Sequence, residues 1–494
     1  MPYIVAGAHS VFTNIHRYFD KPDNIYHQII KDFMARTNSG YLWSFGNGLN
    51  DESKDRVKIK GNYGKKHVNI FNNPRFNEVR TAYNITNLVM DSGGYQAQSG
   101  YLSIDDCYDF IDEYKYFIEN SHDKFKNFFA LDLIPNGLSY NQLLDLNMKS
   151  YEALANLPEE ARKKVIFVYH FFTPKVFEAW KTITDNYFDK FGNYFAFGGL
   201  AANDTTSVVL PISVFAIGIV QIVYQAKKRN MNNIKIHVLG AASYRDVMMY
   251  QLYRAVIKEY HNIDIEITYD SSLAFKQIQK SRRMNVIEPD FTNLLLDIRE
   301  NVLHAKQLRH IPNTMDVYNT TEEIVKENFE KMLEYIDPKY TGMGNSLNIY
   351  EEKEDGSGRS LSRGFTIFSI LFCGWQINTL EEKCYQYVLS KMPLLKSNPY
   401  EFYDELNDIL LKLNQGKLSY KFKDKIMYIR NTIDYLIALD PDMIENVVKE
   451  NLSGCEIVDK GVSNNENIFD MDFIWKALIN HGWNIQILSD IIFE

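Results

Sequence analysis

The sequence predicts an α/β protein: a (β/α)8 TIM barrel with a C-terminal helical extension. Three observations predict it. Short β-rich runs recur eight times over roughly 300 residues, amphipathic segments separate the later ones, and helical patterning alone continues after about Pro312. The runs are Tyr3–Ala6, Tyr41–Phe45, Leu88–Met90, Phe128–Leu133, Val165–His170, Tyr194–Phe197, Ile234–Leu239 and Ile265–Tyr269. Between the later runs, Ile104–Glu119, Tyr140–Ala155, Pro174–Asp185, Pro211–Arg229 and Tyr244–Tyr260 read as helices. Strands separated by helices must pair in parallel. An open doubly wound sheet is the other arrangement, but no G-x-G-x-x-G follows the first strand.

The barrel is expected over residues 1–312 and a helical C-terminal domain over 313–494. The helices of the latter are expected at Thr321–Tyr335, Phe365–Leu389, Pro399–Leu413, Lys421–Leu439 and Met471–Ile492, with Glu351–Arg359 as a charged, glycine-containing loop.

Composition narrows the function classes. Of 494 residues, 45% are apolar and 24% charged, as in folded proteins. The net charge of −9 excludes a uniformly basic coat for nucleic acid but leaves room for a local basic groove. Cys107, Cys373, Cys384 and Cys455 form no CxxC pair, which suggests free thiols in a reducing cytoplasm. Met1–Val5 has no basic lead, so no signal peptide is expected. Thr205–Ala226 is uncharged, but Pro211, Ser213, Gln221 and Tyr224 interrupt it. A membrane span needs about 20 apolar residues, so a buried helix and no membrane partner are expected.

Barrels of this kind place their chemistry at the carboxyl ends of the strands. The third run ends in Asp91-Ser92-Gly93-Gly94-Tyr95-Gln96, and the fourth contains Asp132. The sixth ends in Gly198-Gly199-Leu200-Ala201 and the eighth in Asp270-Ser271-Ser272. His170 stands at the end of the fifth. Gly-Gly lets backbone approach a ring, Tyr95 offers a stacking face, and three carboxylates on one rim offer acid, base or nucleophile. The same residues would also serve as plain turns, with the aspartates as helix N-caps and His170 as a satisfied rim histidine.

These motifs resemble the guanine transglycosylases of nucleic acids, which exchange guanine in tRNA, and in some DNA, for a 7-deazaguanine. Asp91–Gln96 is similar to the family's DSGG[FY]Q motif, Phe197–Ala201 to its GGLA turn, Val238–Gly240 to its [LM]G step and Tyr269–Ser272 to its nucleophile strand. The match runs from about residue 85 to 285 in the family's order. It implies Asp270 as nucleophile on the sugar and Asp91 as general acid/base. Ser92, Gly93, Gly94, Tyr95, Gln96, Asp132, His170, Gly198, Gly199, Leu200, Leu239 and Gly240 would hold the base. Asp132 would accept from guanine N1–H and the exocyclic amine, and Tyr95 would stack on the ring.

Two features depart from the tRNA enzymes. There is no CxCxxC…His zinc motif, so no metal or cofactor is expected, and His170-Phe171 stands where those enzymes commonly carry Gln-Gly. The missing zinc motif and the long helical C-terminus favour the DNA-acting relatives. The expected partners are therefore DNA, the free 7-deazaguanine base and proteins that help open the duplex. A tRNA-acting enzyme and a non-catalytic barrel that binds deazaguanine or nucleic acid are the alternatives. Phosphate contacts are expected first from Lys280, Arg282 and Arg283, then from Lys227–Arg229, then from Lys65 and Lys66.

Overall fold

The computed structural model describes residues 3–6, 11–12, 15–16, 19–21, 23–37, 40–47, 49, 59–94, 101–135, 137–170, 174–198, 210–240, 243–271, 283–288, 290–297, 322–343, 347, 349–352, 359–413, 433 and 436–437. Eight parallel strands close into a barrel in sequence order: β1 (Tyr3–Val5), β2 (Gly40–Ser44), β3 (Asn87–Asp91), β4 (Asn127–Phe129), β5 (Val165–Tyr169), β6 (Tyr194–Phe197), β7 (Asn233–Val238) and β8 (Asp264–Ser271). β8 closes onto β1 with Ile4 opposite Asp270. The connections carry α1 (Ile25–Thr37), α2 (Tyr63–Phe71), α3 (Pro74–Ala82), α4 (Ile104–Ser121), α5 (Tyr140–Ala155), the single turn α6 (Glu159–Arg162), α7 (Pro174–Tyr187), α8 (Leu210–Lys228) and α9 (Tyr244–His261). Helices α1 to α3 occupy the first two crossovers, where the sequence suggests helical stretches without setting their bounds. In α2, Tyr63, Gly64, His67, Val68 and Phe71 form the buried face and the exposed Lys65-Lys66 pair lies on the other, while α3 buries only Val79.

Side chains alternate across each strand, and the last strands show which face is which. Tyr269 lies 5.9 Å from the Tyr250 ring of α9, so Ile265, Ile267 and Tyr269 form the outer, helix-covered face. His237 of β7 meets the Phe129 ring of β4 at 4.9 Å, and the Tyr194 hydroxyl of β6 reaches Thr268 of β8 at 2.6 Å. Neither pair belongs to adjacent strands, so both contacts lie in the lumen. Lys235 of β7 and Glu266 of β8 form an ion pair on the same inner faces. The inner faces of β6 to β8 are thus polar, and such groups must find partners.

Three capping boxes fix where rim loops re-enter helices: Ser103 with Asp106, Ser139 with Gln142, and Ser243 with Asp246. The fourth strand is shorter than expected. Its ladder stops at Phe129, because beyond it α5 supplies the partners. The Ser150 hydroxyl donates to Leu131 O (2.7 Å), and Asn147 pairs with both the N–H (2.9 Å) and O (2.7 Å) of Leu133. Asp132 therefore stands on a braced rim segment rather than in a strand.

After the barrel come the hairpin β9 (Arg283–Ile287) and β10 (Asn293–Asp297), then α10 (Glu322–Ile336), β11 (Tyr350–Glu352), β12 (Arg359–Leu361), α11 (Arg363–Ser397) and α12 (Pro399–Leu413). The flanks of the expected Glu351–Arg359 loop pair as β11 and β12. Helix α11 lies against β1 between α9 and α1, the place a barrel gives to the helix after its eighth strand. Phe33 of α1 meets Phe368, Arg254 of α9 bonds Glu381 at 3.3 Å, and Lys396 pairs with Glu259. Helix α11 outruns its expected end at Leu389 and passes Pro393, because Met392 and Leu395 remain buried there. The segments Lys421–Leu439 and Met471–Ile492 fall outside the described residues apart from positions 433, 436 and 437.

No helix among the described residues is long and apolar enough to cross a membrane. The uncharged run after Thr205 enters α8, which buries Ile219, Val220, Val223 and Ala226. Cys107, Cys373 and Cys384 are buried free thiols.

Candidate active site

Three aspartates from separate parts of the chain face one space at the carboxyl-terminal rim. Asp91 ends β3, Asp132 lies past the end of β4, and Asp270 is the penultimate residue of β8. Strands β1 and β2 separate β8 from β3, so Asp91 and Asp270 approach each other across the lumen. Burial pushes the Asp91 carboxyl up from its ordinary 3.8 to about 6, and the negative charges of Asp132 and Asp270 push it further in the same direction. The Ser44 hydroxyl, opposite it on β2, and the Gly93 N–H offset part of this rise. A carboxyl that titrates near pH 6 can both give and take a proton at neutral pH.

That raised value has a cost in stability. The folded chain holds the Asp91 proton more tightly than the unfolded chain does. The group is therefore neutral in its contribution below about pH 4, becomes destabilising as pH rises from 4 to 6, and stays so above 6. Asp91→Asn mimics the protonated form. It is expected to stabilise the fold by on the order of 2 kcal/mol at pH 7–8 and by nothing at pH 4. Urea melts of both proteins at the two pH values check this; equal stability at pH 8 contradicts the assignment.

Asp132 is held on both oxygens. The Ser92 hydroxyl donates to Oδ1 at 3.2 Å, and His170 Nε2 lies 2.6 Å from Oδ2. The His170 ring meets the edge of Trp180 at 4.7 Å, and the Trp180 indole N–H is fixed on Val168 O at 2.7 Å. Two glycines make this packing possible. A Cβ on Gly94 would overlap Asp132, and one on Gly198 would overlap the His170 ring. Each Asp132 oxygen keeps a second lone pair, so the carboxylate can still accept two parallel N–H donors from a ligand.

Asp270 is 7% exposed and anchored through one oxygen. The Gly240 N–H donates to Oδ1 at 3.0 Å, and His237 Nε2 lies 3.0 Å from the same atom. Behind it, His237 Nδ1 is 2.8 Å from the Thr268 hydroxyl, which the Tyr194 hydroxyl meets at 2.6 Å. Asp91, Ser92, Gly93, Gly94, Asp132, His170, Gly198, Leu239, Gly240 and Asp270 all stand at this rim. Tyr95, Gln96, Gly199, Leu200, Lys280 and Arg282 lie outside the described residues, and Arg283 is described only as the first backbone position of β9.

The basic clusters separate by position. Lys227, Lys228 and Arg229 end α8 beside the start of β7, at the opposite mouth of the barrel, where Arg229 pairs with Asp189 and covers the Phe188 ring. They cannot contact a substrate at this rim. Lys65 and Lys66 are exposed in the first turn of α2, where the Tyr63 hydroxyl bonds Phe45 O and Asn47 O just past β2, on the rim side.

The sequence reading omits His237, Thr268 and Tyr194. Their signal was an alternation, Lys235-x-His237 and Glu266-x-Thr268-x-Asp270, that sets polar residues on an inner face. Among the described residues, no cluster of three or more His, Cys, Asp or Glu side chains is placed to hold a metal ion. Neither protein-family models nor curated proteins give a match to this chain.

Proposed function

We propose that this protein is a guanine transglycosylase of nucleic acids that exchanges guanine in DNA for a free 7-deazaguanine base of the preQ0 type, through a covalent bond between Asp270 and the sugar. The observation that carries the reading is the pairing of Asp270, anchored on one oxygen, with Asp91, tuned to about pH 6 across the lumen. The motifs from Asp91 to Ser272 supply the chemical identity of the base. The absent zinc motif supports DNA over tRNA.

The steps balance without an external energy source. Asp270 attacks C1′ of the deoxyribose, the C1′–N9 bond breaks, and the departing guanine takes a proton from Asp91. The incoming base then gives its proton to the ionised Asp91 and attacks C1′, which releases Asp270. Asp132 accepts the N1–H and amine donors of each base in turn. A base inside a duplex must first be flipped out, at a cost of a few kcal/mol. Lys65 and Lys66, exposed on the rim side, would hold phosphates beside the flipped nucleotide.

The test is incubation with labelled 7-deazaguanine and either duplex DNA or tRNA. Label is expected in DNA. Label confined to tRNA would assign the RNA substrate instead, and tight binding of the base without transfer to either would make the barrel a binding protein. The half-reactions should also part with pH. Release of guanine should slow above about pH 6, and incorporation of the new base should slow below it.

A further inference from the structure

We infer, on the footing that Asp270 is the nucleophile proposed above, that His237 is a positioning residue whose tautomer the Thr268–Tyr194 hydroxyl pair locks, so that Asp270 is presented with Oδ2 as the attacking oxygen. The hydrogen-bond directions follow from the groups themselves. An aspartate carboxylate only accepts, so His237 Nε2 must carry the proton it shares with Oδ1 at 3.0 Å. In a neutral ring Nδ1 is then an acceptor, and the Thr268 hydroxyl, 2.8 Å away, donates to it in preference to Ile236 O, the more distant acceptor at 3.4 Å. Having given its proton, Thr268 Oγ1 accepts from the Tyr194 hydroxyl at 2.6 Å. Burial pushes the Tyr194 phenol up, which keeps it a donor. Every proton on this line points toward Asp270.

The surroundings hold the line in place. His237 is fully buried, and the Phe129 ring closes its lumen side at 4.9 Å. A ring flip would set Cδ2 against the Thr268 hydroxyl and Cε1 against the carboxylate, and both hydrogen bonds would be lost. With the Gly240 N–H also on Oδ1, both donors described for Asp270 sit on one oxygen. The carboxylate is thereby anchored through Oδ1, and among the described residues no donor occupies Oδ2, which is left for C1′. A carboxylate free to rotate would share its time between poses, and a misplaced nucleophile loses rate steeply. Since Tyr194, His237 and Thr268 come from three successive strands, the barrel's own register sets the aim of the attack.

The test uses the full chain and four proteins: wild type, Thr268→Val, His237→Phe and His237→Gln. Gln can place an N–H on Asp270 and an oxygen under the Thr268 hydroxyl, so it reproduces both roles of the imidazole. In single-turnover reactions with DNA, adduct formation is expected to slow by about tenfold in Thr268→Val and about a hundredfold in His237→Phe, by analogy with groups that orient ligands in metal sites. His237→Gln is expected to recover most of that loss. Affinity for 7-deazaguanine, which is read through Asp132, should stay within about twofold of wild type in all three variants. Wild-type rates in Thr268→Val and His237→Phe, or equal losses of binding and adduct formation, overturn the inference and leave the proposed function standing. Nitrogen-15 spectra of histidine-labelled protein decide the tautomer even if no adduct ever forms. A neutral ring protonated at Nε2, assigned by its disappearance in His237→Gln, is expected; a ring protonated at Nδ1 or at both nitrogens overturns the relay.

Discussion

Asp270→Asn is expected to abolish base exchange, with a loss of about ten-thousand-fold or more, while the protein still folds and still binds the free base. The size follows from the role. An amide has no charge to place on C1′, and removing a covalent nucleophile leaves only the rate that binding and donor groups supply. The fold should survive because Asn has the same shape and its carbonyl can take both donors that reach Oδ1, the Gly240 N–H and His237 Nε2. The charge that helps to hold the Asp91 carboxyl up also disappears, so Asp91 should titrate lower than its present value of about 6. Exchange assays and a pH titration of the variant read both effects. Appreciable exchange by Asp270→Asn, or an Asp91 that titrates unchanged, contradicts the shared space across the lumen.

Asp132→Asn is expected to weaken guanine binding by on the order of a hundredfold to a thousandfold and to move selectivity toward xanthine. Guanine presents two parallel donors, N1–H and the amine, which match the two acceptor oxygens of Asp132. Asn presents one acceptor and one donor, which match xanthine's N1–H and 2-oxo group. The loss for guanine includes the cost of leaving a buried donor facing another donor. His170 and Ser92, each bonded to a different Asp132 oxygen, hold the amide in place and prevent it from simply turning away. Binding titrations with both purines measure the shift. Unchanged preference for guanine would remove Asp132 from the reading of the base.

The rim itself is legible in the sequence because barrels put chemistry at strand ends, and Asp91 and Asp270 each follow a β-rich run while Asp132 lies one residue before the end of another. What lies beneath the rim is not. His237 sits in a strand whose other residues, Ile234, Ile236 and Val238, make it look like core. Only the pairing of β6, β7 and β8 reveals that it, Thr268 and Tyr194 meet. The apolar residues Ala130, Leu131 and Leu133 predict a strand that runs to Leu133, while the partners found there, Ser150 and Asn147, belong to a helix. The sequence predicts α11 within the C-terminal helical part, and nothing local tells a chain that a helix beginning at Arg363 will pack on the strand that begins at Tyr3. Likewise, Lys227–Arg229 and Lys65-Lys66 look equivalent as charge runs; only the direction of their helices sends one to the far mouth and keeps the other at the rim.

Mass spectrometry of the acid-quenched, proteolysed protein after incubation with guanine-containing DNA tests the central claim most directly. A sugar-linked DNA remnant is expected on the peptide that contains Asp270, at the residue itself, and it should vanish when excess 7-deazaguanine is added before the quench. An adduct on any other residue, or none with DNA or tRNA from a protein that binds the base, contradicts the account.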